Sequence, residues 1–485
     1  MSTQPNIKQL FSDCLATENI LDTEETLKPY ECDALTAYKT MPMAVLLPES
    51  NAQVIAIIKR CHREQIPIVT RGAGTGLSGG ANPIKNGILL NLAKLNEIYE
   101  INSEQQFARV GPGVRNLSIS EAANDYGLYY APDPSSQIAC TIGGNIAENS
   151  GGVHCLKYGL TVHNILEITY VDYTGEIIVA GSQCYDSPGY DVMALMTGSE
   201  GMLGIILEAK VRLLPKPNKS KLILIAFDDI HHAGQAVADI IASGVIPAGL
   251  EMMDRCVIKA TENFCHPGYP TEAEAILLCE LDGYGNSLER EVEKVIKQCE
   301  KHQASLIKIA LNDEEKELFW RGRKSAFPAI GRLAPDYLCM DGTIPRRYLA
   351  DVLEQIQLFS RQLGLDVANV FHAGDGNLHP LIMYDANIAG QQQRAEELGS
   401  RILQLCVKVG GTITGEHGIG VEKLNQMCVQ FNRAELDQFM RLKLAFDQDS
   451  LLNPGKVIPT LQRCAEFGAM HIHNGEMPFK ELPRF

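Results

Sequence analysis

The chain has 485 residues, 45% of them apolar, and its 43 basic against 59 acidic side chains give a formal charge of -16. That length holds about three ordinary domains with sizeable cores, and that charge argues against a nucleic-acid or anionic-membrane surface. Met1 to Ile20 mixes Lys8, Asp13 and Glu18 among its apolar residues, no stretch reaches the ~18 apolar residues of a membrane span, and none of the 14 cysteines forms a Cys-x-x-Cys pair. The reading is a cytoplasmic chain with reduced, mostly packing cysteines, no iron-sulfur ligand set and no direct membrane span, so that any attachment to an inner membrane runs through partners.

Residues 1 to about 40 read as helical and amphipathic with turn signals at Pro29 and Pro42, Val45-Leu46-Leu47-Pro48 as a short strand, and Asn51 as the start of a helix that turns Val54, Ile55, Ile57 and Ile58 to a core. Ile66 to Thr70 then leads into Arg71-Gly72-Ala73-Gly74-Thr75-Gly76-Leu77-Ser78-Gly79-Gly80, where five glycines fall within nine residues. Such backbone takes positive φ and brings successive N-H groups onto an anion, so the stretch reads as a pyrophosphate cradle. Gly74-x-Gly76-x-x-Gly79 matches the dinucleotide fingerprint of a Rossmann unit, which demands a helix directly afterwards. Pro83 and Asn86-Gly87 are turn chemistry and Ile88 to Leu92 is strand-like, so the Rossmann reading fails and the cradle is a loop between strands.

A helix over Asn116 to Tyr126 precedes a second small-residue region, Pro132-Asp133-Pro134-Ser135-Ser136 and Thr141-Ile142-Gly143-Gly144-Asn145-Ile146 through Gly151-Gly152. It leaves room for a flat, extended ligand against the main chain. A third patch, Thr197-Gly198-Ser199-Glu200-Gly201, leads through Gly204 and Ile205 into a strand. These three patches, with Lys157-Tyr158-Gly159, resemble the FAD-binding domain of the vanillyl-alcohol oxidase superfamily. The resemblance covers nearly the whole chain. It implies an α+β fold with a two-part FAD-binding domain over residues 1–215. It also implies FAD contacts at Arg71, Gly72, Gly74, Thr75, Gly76, Ser78 and Gly79, at Pro134, Ser135, Thr141, Gly143, Gly144, Asn145, Gly151 and Gly152, and at Tyr158, Gly159, Glu200, Gly204 and Ile205.

Pro215 to Lys219 is a linker by composition. Beyond it, Leu222–Phe227, Ala233–Ser243, Ala275–Leu281, Ser287–His302 and Ser305–Ala310 alternate strand and helix. A similar unit follows: a strand to Met340, helix Arg346–Leu363, strands Asp366–Phe371 and Leu378–Tyr384, helix Gln391–Val409 and strand Thr412–Thr414. Two split βαβ units suggest a duplicated ferredoxin-like cap over 216–420, an antiparallel sheet with helices on one face. The segment 421–485 looks like a helical return to the FAD domain, where the resemblance puts Asn453 and Lys456 near the flavin.

Val370-Phe371-His372-Ala373-Gly374-Asp375-Gly376-Asn377-Leu378-His379-Pro380 carries two histidines seven apart. Two glycines and Pro380 forbid a helix there, and a hairpin brings the imidazoles within reach of one ion. Thr414-Gly415-Glu416-His417-Gly418 adds a carboxylate and a third histidine, and two imidazoles plus one carboxylate leave open positions on a metal. Hydrogen-bonded core histidines are the competing reading. Flavin dehydrogenases for D-2-hydroxy acids resemble the chain at both motifs, and this likeness implies zinc or manganese on His372, His379 and Glu416, with His417 as base. It further implies Arg323, in Trp320-Arg321-Gly322-Arg323-Lys324, as a clamp for the substrate carboxylate, while Asn377 orients substrate or ligand. Relatives acting on 2-hydroxyglutarate carry a lysine where Cys339 stands, which favours a small acid such as glycolate or D-lactate.

Arg323 to Arg332 and Cys464 to His471 bring the resemblance nearest to the FAD-linked subunits of bacterial glycolate oxidases. That family implies hydride transfer from a small 2-hydroxy acid to FAD, electron exit through an iron-sulfur subunit, and a second FAD-domain subunit in the complex. Two rivals stay open: a stand-alone D-lactate or D-2-hydroxyglutarate dehydrogenase, and a non-catalytic flavin-carrying subunit.

Overall fold

A computed structural model describes residues 7–182, 189–283 and 287–459; the stretch from Cys464 to His471 lies outside them. The N-terminal segment departs from the expected amphipathic helix. It holds short turns of helix at Ile7–Phe11 and Glu24–Leu27 and a two-residue strand β1 (Ile20–Leu21), because Pro29, Asp33 and Pro42 interrupt the apolar pattern.

β1 pairs with β2 (Ala44–Leu46), and β2, β4 (Ile88–Asn91) and β3 (Ile68–Arg71) run parallel in that order. Helix α1 (Asn51–Glu64) makes the β2-β3 crossover, opened by Ser50, whose side chain accepts from the Gln53 N-H, and buries Val54, Ile57, Ile58 and Cys61 against the sheet. The glycine loop joins β3 to β4 with no helix between them. A second sheet has the order β5 (Ile98–Asn102), β6 (Phe107–Val110), β9 (Ile205–Arg212), β7 (Ile165–Val171), β8 (Ile177–Gly181). Between its strands lie helices α2 (Asn116–Ala123) and α3 (Ile142–Glu148). α3 occupies ground read as extended: Thr141 caps it by accepting from the Gly144 N-H, and Gly143-Gly144 in its first turn hid its helical pattern.

The cap is one seven-stranded sheet. Its order is β13 (Leu306–Ile309), β10 (Lys219–Phe227), β12 (Ala275–Gly283), β11 (Gly249–Asp254), β15 (Val367–Phe371), β16 (Pro380–Tyr384), β14 (Asp336–Cys339), with every pair antiparallel. Helices cover both faces, not one. Ile223, Ile225 and Phe227 pack with α4 (Ile230–Ala242), α6 (Ser287–Lys301), α9 (Leu349–Leu363) and α10 (Gln391–Lys408). The alternate residues Leu222, Leu224 and Ala226 pack with α5 (Arg255–Cys265), α7 (Asp313–Lys324) and α8 (Ala326–Ile330). The unbroken apolar runs of β10 and β12 are the sequence mark of strands buried on both faces. Thr412–Thr414 is not a strand; Thr412 makes an isolated bridge to Thr343, since Gly415 and Gly418 turn the chain away. Eleven described cysteines are free, and Cys428 is disulfide-bonded, a departure from the reduced reading.

A charged seam ties the two halves together. His154, beside the FAD-domain residue Asp133 at 2.7 Å, reaches Glu280 of the cap at 3.4 Å, and Trp320 Nε1 donates to the same Glu280 at 2.9 Å. Burial opposes the imidazolium, but Asp133 and then Glu280 outweigh it and raise His154 to about 10. A histidine raised on folding gives stability that is full below its unfolded pKa of about 6.5 and is lost as pH climbs through the folded value. The melting temperature is therefore expected to fall between pH 6.5 and 10 more steeply in the wild type than in His154→Gln; parallel melting profiles would contradict this.

Candidate active site

The β15-β16 hairpin is set by Asn369 opposite Pro380 and by a bridge between His372 and Asn377. Its turn requires Gly376, at φ 74°, where a Cβ would stand 2.2 Å from the Ile344 carbonyl oxygen. The two imidazoles meet edge to face with centroids 5.1 Å apart, and His417 stacks on His379 at 4.8 Å and 12°. His372 Nε2 and His379 Nε2 lie 3.2 and 3.3 Å from Glu416 Oε1. One donor atom each from His372, His379 and Glu416 falls within 4.8 Å of the others, and spacings near 3.2 Å suit ligands about 2.1 Å from one ion. Asp341, His379 and His417 form a second group of this kind.

Two buried carboxylates escaped the sequence reading. Asp341, fully buried, accepts the N-H groups of Gly415 (3.1 Å), Glu416 (3.2 Å) and His417 (2.9 Å) and binds Lys423 Nζ at 3.2 Å, fixing the turn that presents Glu416 and His417. Glu251, in mid-strand of β11, lies 2.7 Å from His372 Nδ1 and takes Arg323 Nε at 2.7 Å and Nη2 at 2.6 Å. Each partner is more than 70 positions away in sequence, beyond any local pattern. Burial pushes the His417 imidazole down to about 4, Asp341 opposing, so it is neutral, and its Nδ1 has no hydrogen-bond partner.

A cavity of about 410 Å³ connects this cluster to the glycine loops. Of the residues the resemblance placed on FAD, Gly72, Gly74, Thr75, Gly76, Pro134, Ser135, Thr141, Gly143, Gly144, Asn145, Glu200, Gly204 and Ile205 line it, and so do His379, Glu416 and His417. Others stand behind the wall. Arg71 donates to the carbonyls of Tyr30 and Cys32, Asn453 to those of Gly80 and Glu200, and Lys456 to those of Gly80 and Asn82. Ser78 and Gly79 pack under the loop, where Ser78 O accepts from Val421 N and a Cβ on Gly79 would meet Val421. Tyr158 donates to Asp282, Gly159 packs on His163, and Gly152 packs on Asp133. Gly151 abuts Glu416, where a Cβ would meet Oε2 at 2.3 Å. Glu200 reaches from the FAD domain to accept the N-H groups of Ile419 (2.6 Å) and Gly420 (2.8 Å), anchoring the turn just past His417. The cavity suits a flavin nucleotide: it runs along the first glycine loop from Gly72 to Gly76 and past Gly143-Gly144 at the start of α3 to the His379, Glu416 and His417 cluster, room for a long ligand lying mostly against main chain.

Arg323 is placed otherwise than expected. It is 2% exposed, bound to Glu251, and absent from the cavity wall, whereas its neighbour Lys324 lines it with Phe327 and Pro328. Asn377 is buried with its Nδ2 3.3 Å from His379 Nε2, outside the cavity wall. Among the described residues no helix is long and apolar enough to cross a membrane.

The family described as "FAD binding domain" matches residues 42–181, and that described as "FAD linked oxidases, C-terminal domain" matches 216–457. Glycolate oxidase subunit GlcD of Escherichia coli (strain K12) is 60% identical over 96% of this chain and 93% of its own length. A D-lactate dehydrogenase of Archaeoglobus fulgidus is 32% identical over 86% of this chain and 91% of its own. The structure of p-cresol methylhydroxylase with substrate bound superposes with a TM-score of 0.79 at 18% identity, covering 95% of this chain and 98% of that one, and it shares the vanillyl-alcohol-oxidase-type fold. With both halves matched and the glycine-walled cavity running between them, the chain belongs to the FAD-linked oxidases and is an FAD-linked oxidoreductase.

Proposed function

We propose that the chain oxidises a small 2-hydroxy acid, glycolate or D-lactate, and hands the electrons to an iron-sulfur partner subunit in a complex that includes a second FAD-domain subunit. The observation that carries this reading is the single cavity bordered at once by Gly72 to Gly76, by Gly143 to Asn145 and by His379, Glu416 and His417. When bound, FAD supplies a two-electron acceptor, and a divalent ion, zinc or manganese, supplies a Lewis acid for the carboxylate and hydroxyl oxygens. His372, His379 and Glu416 would hold the ion. His417, stacked on His379 and opening on the cavity, takes the hydroxyl proton. Asp341 keeps Glu416 and His417 in register through their backbone N-H groups. Asn377, with its side-chain nitrogen 3.3 Å from His379 Nε2, orients the substrate or the metal-binding groups beside it.

The size of the acid follows from its surroundings. Lys324 lines the cavity, suited to one substrate carboxylate, and the position that the resemblance matches to a second cation is Cys339, a buried thiol outside the cavity wall. The likeness to glycolate oxidase subunit GlcD favours glycolate and a multi-subunit assembly. The likeness to D-lactate dehydrogenases supports a second reading, a chain that works alone on D-lactate. To test the proposal, the purified chain is loaded with FAD and mixed anaerobically with glycolate or D-lactate. Bleaching of the flavin absorbance is expected with at least one of them; a fully loaded flavin that neither bleaches would contradict the proposal.

A further inference from the structure

We infer that Glu251 is a positioning residue for the metal centre, its carboxylate joining His372 to Arg323 and setting which ring nitrogen of His372 faces the ion. The inference rests on the metal reading above and names a residue that reading leaves out.

Glu251 sits in β11, a strand whose six residues are all buried, and its own exposure is 0%. Moving a carboxylate into such a sheet costs several kcal/mol unless its oxygens are matched. Here they are matched by two groups. Oε1 lies 2.7 Å from His372 Nδ1, and Oε2 lies 2.7 Å from Arg323 Nε and 2.6 Å from Nη2. The register explains the meeting: Met252 stands opposite Phe371 and Met253 opposite Val370, so Glu251 falls beside His372 across the β11-β15 pair. The Arg323 guanidinium, bonded to Oε2 through two nitrogens, matches an ionised carboxylate there.

An ionised carboxylate only accepts, so His372 Nδ1 must carry the hydrogen. Nε2, the atom 3.2 Å from Glu416 Oε1, is then the nitrogen that would give up its proton and ligate an ion. A neutral imidazole without that acceptor exchanges its proton between nitrogens and swings about its side-chain torsions, and both motions remove a ligand from the ion. Arg323 completes the arrangement by neutralising Glu251 rather than by facing the cavity. Glu251 reaches the chemistry through His372 and touches neither cavity nor ion.

The test uses the full FAD-loaded chain, stripped of metal with a chelator and titrated with Mn²⁺ or Zn²⁺ alone, in wild type, Glu251→Gln, Arg323→Gln and Glu416→Ala. Loss of an outer partner of a metal-binding histidine weakens metal affinity about 10- to 100-fold. That loss is expected for Glu251→Gln, with flavin content unchanged and turnover restored by saturating Mn²⁺. Arg323→Gln, which leaves Glu251 buried without its cation, is expected to weaken metal affinity as well and to lower the melting temperature. If Glu251→Gln does not fold because Arg323 is left unpaired, the double variant Glu251→Gln/Arg323→Gln removes both buried charges and is expected to show the same weakening. Wild-type affinity in a folded variant lacking Glu251, while Glu416→Ala binds no metal, would overturn the inference alone. A wild type that binds neither ion would overturn the metal reading along with it.

Discussion

Replacing Glu416 with alanine is expected to abolish binding of the proposed divalent ion and lower turnover by about 10³-fold while FAD stays in place. The carboxylate is the element shared by both histidine contacts, at 3.2 Å to His372 and 3.3 Å to His379, and it borders the cavity. A Lewis acid on the reacting oxygens contributes several kcal/mol to the transition state, and about 4 kcal/mol corresponds to about 10³-fold. The flavin should remain because the glycine walls that would receive it come from β3, α3 and β9, not from the turn at Gly415 to Gly418. Metal analysis, flavin absorbance and steady-state rates on one sample check all three parts. Full turnover with a loaded flavin would favour a non-catalytic, flavin-carrying subunit.

The second large effect belongs to Gly72. A Cβ there would stand 2.0 Å from Thr141 Oγ1, the hydroxyl that caps α3 by accepting from Gly144 N-H. Gly72→Ala therefore forces the first glycine loop and the start of α3 apart, at the place where both border the cavity. Loss of a helix cap costs about 1 kcal/mol, and overpacking a filled contact about 1–3 kcal/mol more. At 1.4 kcal/mol per tenfold, about 2 to 4 kcal/mol expressed in cofactor binding is at least about a 30-fold loss of FAD affinity. Fluorescence titration of the stripped chain with FAD measures it, and unchanged affinity would remove the first loop from the cofactor site.

The parts of the fold visible in the sequence are those with local signals. Pro83 and Asn86-Gly87 forbade a helix after the glycine loop, and the structure has none between β3 and β4. His372 and His379, flanking a Gly-Asp-Gly turn, announced a hairpin, and the structure brings their rings together with Glu416. Elsewhere the needed information was not local. Gly143 and Gly144 are poor helix formers, so α3 forms through its Thr141 cap and through Ile142 and Ile146, which pack in the core. The helices on the second face of the cap sheet follow from tertiary burial, which the apolar run Ala275 to Leu281 permits without dictating which helices supply it.

Site residues divide in the same way. A histidine or glutamate in a glycine turn reads as chemistry, whereas Asp341, just past the end of β14, and Glu251, within β11, gain meaning only from partners brought near by folding. Arg323 illustrates the converse. Its place after Trp320 suggested a clamp, but α7 turns it inward to Glu251, and Lys324 one position later faces the cavity. Cofactor wall and backing also look alike in sequence: Gly72 borders the cavity, while Lys456 and Asn453 hold Gly80 from behind.

The central claim is that an ion held by residues 372, 379 and 416 shares one cavity with the flavin. A crystal of the FAD-loaded chain soaked in Mn²⁺ and recorded at the manganese absorption edge tests it directly. The account predicts one anomalous peak bonded to His372, His379 and Glu416 and facing the isoalloxazine across the cavity. A peak elsewhere, or a flavin ring bound away from that cluster, would contradict it.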